Sequence, residues 1–371
     1  MTEKGLREIV AADTRISDID GEAGRLWYVG YTIEDLAAHA TYEEVVYLLH
    51  NLRLPSAAEL DGLREFLVAE REPSEFLAGL MPTLAEHSSP MSMLRTSVSA
   101  ASTHDPDGWD SDAAANARKA LRLVALVPTL IARYHRERSG LAIVPSDPAL
   151  GHAANFLHML LGEAQHEADA AILDTTFVLY ADHTMNASTF TARVIASTLS
   201  DMFSAITGAI GALKGPLHGG ANEEAMKMLE EIGGPEKASD YVERRLASKQ
   251  KLMGFGHAVY RTMDPRARVL KALSRELAER RGRTDLHETA EAVEAAALEQ
   301  KGLNPNVDFY AATVYHMLGI PTDLMTPLFA LARMAGWTAH VREQYADNRI
   351  IRPDSVYVGP RDQRWLPIAE R

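Results

Sequence analysis

The 371-residue sequence contains no cysteine. That absence removes disulfides, thiolate nucleophiles and Cys-ligated zinc or iron–sulfur centres together, and it accords with a reducing cytoplasm. A long uncharged apolar run is missing as well. The most apolar stretch, Thr191 to Leu213, carries Arg193 and Asp201, and the charged segment Met1 to Arg15 lacks the apolar core of a signal peptide. The expectation is a protein that is neither exported nor membrane-spanning. Positive charge is not in excess either: the net charge of -13 opposes non-specific nucleic-acid binding, which needs a basic face to release counterions. The catalytic vocabulary left is His, carboxylates, Ser/Thr, Tyr, Lys and Arg.

What is present fits a globular chain. With 46% hydrophobic and 24% charged residues, the composition excludes a disordered or collagen-like protein. The length predicts two unequal domains, enough to bury a sizeable core. Helical periodicity dominates. Thr191 to Leu213 places Ile195, Leu199, Met202, Ile206, Ile210 and Leu213 at steps of three and four, which predicts one central helix. Thr41 and Glu44 form a capping box that opens another helix ending before Pro55. Further helices are expected near 57–71, 75–87, 113–136, 149–161, 164–182, 222–233, 235–250, 264–281, 285–301, 306–318 and 323–345. Strand-like alternation is confined to Arg25 to Gly30 and Ser355 to Val358. No 20–50-residue repeat appears. The fold class is therefore mainly α.

Three turns hold reactive side chains. In Lys214-Gly215-Pro216-Leu217-His218-Gly219-Gly220 the glycines let a ligand approach the backbone. The helix expected to start near Asn222 would favour a neutral His218, able to donate a hydrogen bond to a developing enolate. In isolation such a turn more often joins helices around an incidental histidine. The second turn is Gly254-Phe255-Gly256-His257, followed by Arg261, Asp264, Pro265 and Arg266. Asp264-Pro265 reads as an N-cap with proline at the first helical position. Arg261 and Arg266 are placed to hold carboxylate or phosphate groups together with helix-terminal N–H groups. Between Arg244 and Arg275 there are nine Lys/Arg and one acid, Asp264; a solvated basic face is the commoner fate of such a run. The third turn is Asn304-Pro305-Asn306-Val307-Asp308, where the carboxylate is either a cap or, if buried beside a substrate, a general base with a raised pKa.

Two further residues extend the candidates. His183 shares a helical face with Ile172, Thr176 and Leu179, so a satisfied core histidine is its commoner reading. Arg333 lies inside an apolar helix, where a cation is costly unless it meets an anion. Arg352, before Pro353, has no such context and could be a surface cation.

Taken together, Leu217-His218-Gly219-Gly220-Ala221-Asn222-Glu223, Gly254 to Arg261 with Asp264-Pro265-Arg266, Pro305 to Tyr310, and Asp347-Asn348-Arg349-Ile350-Ile351-Arg352-Pro353 closely resemble the citrate synthase family. The shorter bacterial and archaeal type is the nearest. The similarity runs from Ile19 to Gly359 with the motifs in the family order. It implies a two-domain, mainly α fold with a large domain over 1–218 and 321–371 and a smaller mobile domain over 219–320. It also implies a cytoplasmic homodimer whose site is built by domain closure.

By the same resemblance His218, His257 and Asp308 are the catalytic trio. His183, Arg266 and Arg333 bind oxaloacetate, and Arg352 is contributed in trans by the other subunit. Coenzyme A lies along Lys251, Gly254, Phe255, Gly256 and Arg261, with Lys301 as another candidate. The implied activity is an acyltransferase of the tricarboxylic acid cycle that condenses acetyl-CoA, oxaloacetate and water to citrate and CoA. It needs no metal or cofactor, and no nucleic acid or membrane partner. A 2-methylcitrate synthase using propionyl-CoA, or a dual-specificity enzyme, is the alternative. The rivals from other classes are a His/Asp metal hydrolase, for which no HExxH spacing occurs, and a catalytically silent helical binding protein.

Overall fold

A computed structural model describes residues 5, 6, 9–163 and 165–371. The remainder of the segment Met1 to Arg15 and Ala164, the expected start of a helix over 164–182, lie outside the described residues.

The chain opens on a three-stranded antiparallel sheet of β1 (Ser17–Asp20), β2 (Arg25–Tyr28) and β3 (Tyr31–Thr32) in sequential order. The expected strand at Arg25 is β2, with Ser17 opposite Tyr28 and Asp20 opposite Arg25 across the tight β1–β2 turn. Helices then account for most of the fold. The first group is α1 (Ile33–His39), α2 (Tyr42–Asn51), α3 (Ala57–Ala69), α4 (Glu75–His87), α5 (Pro90–Ala101), α6 (Ala113–Arg138), α7 (His152–Leu161), α8 (Glu167–Tyr180), α9 (Ala187–Ser197) and α10 (Met202–Leu213). It continues with α11 (Ala221–Ile232), α12 (Ala238–Ala247), α13 (Pro265–Arg281), α14 (Thr284–Lys301), α15 (Val307–Met317) and α16 (Met325–Ala346).

The local signals explain the ends of several helices. Thr41 and Glu44 form the capping box of α2. Asp264 caps α13 with Pro265 at its first turn, where the missing proline N–H costs nothing. Two expectations change. The stretch Thr191 to Leu213 is two helices, because Leu199 takes a left-handed φ of 62° and Asp201 caps α10 through the Ser204 N–H. The central helix is instead α16, whose residues Met325 to Val341 are all buried and which packs on α2, α6, α8, α9 and α10. A helix apolar on every side belongs at the centre of a large core. Ser355 to Val358 is no strand: it lies in an exposed C-terminal segment, and its β-rich side chains find no neighbouring strand among the described residues. Helices α1 and α5 are additions to the sequence reading.

Helices α11 to α15 pack mainly on one another, α13 on α15 and α11 on α15 most extensively. This group meets the rest through α13 on α1 and α8, and through α11 on α16. Asp169 of α8 receives Arg280 at 2.8 Å and Arg281 at 2.6 Å, a paired contact across that junction. Among the described residues no helix is long and apolar enough to cross a membrane.

Candidate active site

The ends of several elements converge: the turn after α8, the turn between α10 and α11, the segment leading into α13, and the first turn of α15. The middle of α16 forms the floor.

Asp308 sits in the first turn of α15, and its N–H is capped by the Asn306 side chain. The carboxylate is nearly buried, 9% exposed, and Tyr180 at the end of α8 donates to its Oδ1 at 2.8 Å. Burial pushes its pKa up to about 6; the Tyr180 hydrogen bond and the charge of Arg266 oppose that rise without cancelling it. An acid that ionises near neutrality is suited to taking a proton from carbon.

Two histidines are held neutral with opposite tautomers. The backbone N–H of Ser188 points at His218 Nε2 at 3.3 Å, and the Ser188 hydroxyl lies 2.8 Å from the same nitrogen. Since an amide N–H can only donate, Nε2 is the acceptor and the ring proton sits on Nδ1. At His257 the N–H groups of Val259 and Tyr260 donate to Nδ1 at 3.0 and 3.1 Å, which leaves the proton on Nε2. Each pKa falls to about 4, chiefly by burial, with Arg333 adding to the effect at His218 and Arg266 at His257. Burial, rather than the nearby helix N-terminus, keeps His218 neutral. Both rings are therefore single N–H donors near pH 7.

His183 is not on a helical face as the sequence periodicity suggested. Helix α8 ends at Tyr180, and His183 stands in the following turn. Its ring packs edge-on against His257 with centroids 5.2 Å apart, and its Nε2 lies 3.3 Å from the Tyr260 hydroxyl. Burial, then the charge of Arg266, drives its pKa well below the ordinary value. Arg266 is buried and forked onto Asp264, Nε to Oδ1 at 3.0 Å and Nη2 to Oδ2 at 2.7 Å, which leaves its Nη1 free of that pair. Arg333, also buried, donates Nε to the Tyr180 carbonyl at 2.7 Å and stacks over Phe329 at 4.8 Å. Among the described residues it has no carboxylate within ion-pair distance, and burial lowers its pKa. Phe329 also contacts the rings of Tyr180 and His218. The predicted turn residues and Arg333 thus surround one space.

The candidate CoA residues divide. Gly254 and Gly256 both have left-handed φ, 80° and 75°, and a side chain at Gly254 would strike Phe309. Gly256 N–H bonds to the Asn304 carbonyl, and Asn306 bonds back to both glycine carbonyls. Phe255 bridges to Pro305. This ties the Gly254–Gly256 segment to the turn that presents Asp308. Lys251, Arg261 and Lys301 are exposed, with Arg261 Nε 3.8 Å from Glu22, and none of them contacts the cluster. Arg352 is likewise outside it, its side chain 78% exposed and its only ion pair among the described residues a 3.7 Å contact with Asp354.

Sequence reasoning missed Tyr180, Ser188 and Tyr260. Tyr180 lies inside the helix expected over 164–182 and closes α8, but carries no local signal. Ser188 was accessible through the Asn186 N-cap, whose side chain accepts from Ser188 and Thr189. A cleft of about 830 Å³ lies elsewhere, lined by Arg193, Arg342 and Glu343 among others, and holds none of these groups. The converged acid, imidazoles and guanidiniums mark the chemistry better than that void.

The family model described as citrate synthase, C-terminal domain, matches residues 5–354. The chain is 47% identical to citrate synthase 2 of Bacillus subtilis over 99% of both chains. It is 42% identical to a 2-methylcitrate synthase of Shewanella oneidensis over 100% of this chain and 98% of that one. Among solved structures, citrate synthase of Pyrobaculum aerophilum superposes with a TM-score of 0.93 at 41% identity, covering 99% of this chain and 95% of that one. A ternary complex of the Thermoplasma acidophilum citrate synthase with carboxymethyl coenzyme A and oxaloacetate gives 0.94 at 34% identity, with full coverage of both.

Proposed function

The chain belongs to the citrate synthase family, an acyltransferase family, and from that premise we propose that it condenses acetyl-CoA with oxaloacetate and water to give citrate and CoA. The observation that carries this reading is one buried carboxylate of raised pKa, joined through Tyr180 and Phe329 to the ring of His218, in a cluster that holds a second neutral imidazole, His257, of opposite tautomer.

Asp308 removes a proton from the acetyl methyl group while His218 Nδ1–H donates to the thioester oxygen, where the charge grows. Neither group can do this alone, since the methyl is too weakly acidic without a partner for the enolate. The enolate carbon then attacks the ketone carbon of oxaloacetate and the C=O π pair moves onto oxygen. His257 Nε2–H polarises that ketone and protonates the new alkoxide. The proton Asp308 took from the methyl group replaces the one His257 gives up, so that both groups return to their starting states. The guanidinium groups of Arg266 and Arg333, with His183, hold the oxaloacetate carboxylates, and Arg333 gains a carboxylate within ion-pair distance, which it lacks among the described residues. Arg352 of the partner subunit completes that binding in a homodimer; its exposure on the separate chain supports the role. Water then cleaves the citryl thioester, releasing CoA. The steps are a proton transfer, a carbon–carbon bond formation and a thioester hydrolysis, with the carboxylate, imidazoles and guanidiniums supplying the polarisation, so the reaction asks for no metal or redox cofactor.

CoA lies along Gly254, Phe255 and Gly256, with Lys251, Arg261 and Lys301 offered to its phosphates. The larger domain spans 1–218 and 321–371, the smaller mobile one 219–320, and the enzyme acts in the cytoplasm. The contacts Tyr180–Asp308 and His183–Tyr260 link these two parts at the site, which supports its completion by domain closure.

Similarity to a 2-methylcitrate synthase favours a second reading in which propionyl-CoA is the acyl donor. One methylene is worth only about 1–3 kcal/mol of discrimination in an apolar pocket. The test is kcat/KM for CoA release with each thioester in the presence of oxaloacetate. Preference for acetyl-CoA is expected; a reversed preference assigns the second reading, and no oxaloacetate-dependent release with either overturns both.

A further inference from the structure

The turn that presents His183 is strained. Thr184 takes φ 51°, a left-handed conformation that a β-branched residue adopts only when its surroundings impose it. The surroundings here centre on Asp182, whose side chain is wholly buried. Its Oδ2 accepts from the Thr184 N–H at 2.9 Å and from the Ser17 hydroxyl. Its Oδ1 lies 3.3 Å from His340 Nε2 on α16. Because the Arg193 guanidinium can only donate, its 3.2 Å contact with His340 Nδ1 makes that nitrogen an acceptor and leaves the imidazole proton on the side of Asp182. Burial acts to raise the Asp182 pKa, but His340, Arg333 and Ser17 outweigh it and hold the group ionised.

The backbone of the same turn is fastened as well. The Tyr28 hydroxyl donates to the Asp182 carbonyl at 2.8 Å and accepts from the Asp182 N–H at 3.1 Å. Gly336 N–H donates to the Ala181 carbonyl at 3.0 Å, and any side chain at Gly336 would collide with that carbonyl and with the Asp182 carboxylate. Beyond Thr184, the Asn186 side chain caps α9 and bonds to Ser188, the residue that fixes the tautomer of His218. One turn therefore sets the position of His183 and, two residues past the cap, the orientation of His218.

We infer that Asp182, backed by His340, is a positioning residue: its carboxylate locks the strained Asp182–Thr184 turn so that His183 is preset for its ligand. This rests on the proposed role of His183 in holding oxaloacetate. Asp182 touches no reacting atom and acts only through its neighbour.

The test is Asp182→Asn in the full chain, which keeps the shape but turns an amide N–H₂ toward groups that already donate. Calorimetry should show oxaloacetate binding weakened about tenfold or more, with binding of CoA alone unchanged. Adding Thr184→Gly, which accepts positive φ freely, should recover most of that loss. Unchanged oxaloacetate affinity in Asp182→Asn overturns the inference. So does a loss that Thr184→Gly does not repair, since the carboxylate would then act by charge and not through the turn. If Asp182→Asn does not fold, Ser17→Ala replaces it, with a smaller loss repaired in the same way; no loss, or one left unrepaired, counts against the inference. Hydrogen exchange at the Thr184 amide needs no ligand: protection in the native chain, lost in Asp182→Asn, is expected whether or not oxaloacetate is the substrate. Equal exchange in both overturns the inference. Failure of the native chain to bind oxaloacetate, with that exchange difference intact, strikes the functional reading alone.

Discussion

The hydroxyl of Tyr180 donates a 2.8 Å hydrogen bond to Oδ1 of Asp308, joining the last residue of α8 to the first turn of α15. The bond has a defined sign. It favours the ionised carboxylate, so it works against the burial that raises the Asp308 pKa to about 6. Tyr180 itself stays protonated, because burial and then the charge of Asp308 push its pKa well above the ordinary value.

Tyr180→Phe should therefore raise the Asp308 pKa further. A hydrogen bond to a charged group is worth roughly 1.5–3 kcal/mol, or about one to two pKa units. A base must be ionised to act, so the acid limb of kcat/KM moves to higher pH and activity at pH 6 falls more than activity at pH 8. A pH–rate profile superimposable on that of the native chain would show that Asp308 does not titrate in the rate-determining steps.

The histidines make a separate prediction. With both pKa values near 4, neither ring gains a proton between pH 6 and 8. Nitrogen-15 NMR of the imidazoles should find His218 as the Nδ1–H tautomer and His257 as the Nε2–H tautomer throughout that range. Imidazolium signals at either position at pH 7 would contradict the donor roles proposed for them.

Much of this site was legible in the sequence because its parts lie at turns with strong local chemistry. Glycine beside His218 and His257, Asp264-Pro265 before α13, and Asn306 before Asp308 are all short-range signals, and the helix ends follow them. The turn after α8 was not legible. Ala181-Asp182-His183-Thr184 contains neither glycine nor proline, and its apolar spacing continues that of the helix. What bends it is a set of contacts from Ser17, Tyr28 and Gly336, each more than 150 residues away along the chain. Leu199 is the same case, a left-handed residue within an unbroken apolar period. Helix α5 was hidden because Ser, Thr and Ala supply much of its length and blur the apolar stripe. Tyr180, the partner of Asp308, is a long-range contact with no spacing to announce it, and for Ser188 the Asn186 N-cap marks the helix start but not the contact with His218.

Arg352 supplies a test of assembly. If it serves the site of the other subunit while Asp308 serves its own, a hybrid dimer of an Asp308→Ala chain and an Arg352→Ala chain contains one site lacking both groups and one site lacking neither. Co-refolding two inactive variants should then restore CoA release to about half the native value in the hybrid fraction, one competent site of two. Confirmed hybrid dimers with no recovered activity would place Arg352 in the same site as the Asp308 of its own chain.

The central claim is that Asp308 is the base, and Asp308→Asn tests it most directly. The substitution removes the proton acceptor while keeping the shape of a residue whose burial disfavours its charge. The stability sign is fixed by the raised pKa. Between about 4, the ordinary carboxyl value, and about 6 in the fold, the folded state holds the proton that the unfolded chain has lost, so this group's contribution declines as pH rises through that window. The variant, free of that cost, should be at least as stable as the native chain at pH 8. Its oxaloacetate affinity should be retained and its kcat for CoA release lowered by about 10²- to 10⁴-fold, the usual loss on removing a general base. The measurement is kcat at saturating acetyl-CoA and oxaloacetate, set beside the oxaloacetate Kd of the same sample. A fall of that size with an unchanged Kd is the predicted result, and a near-native kcat would contradict the account.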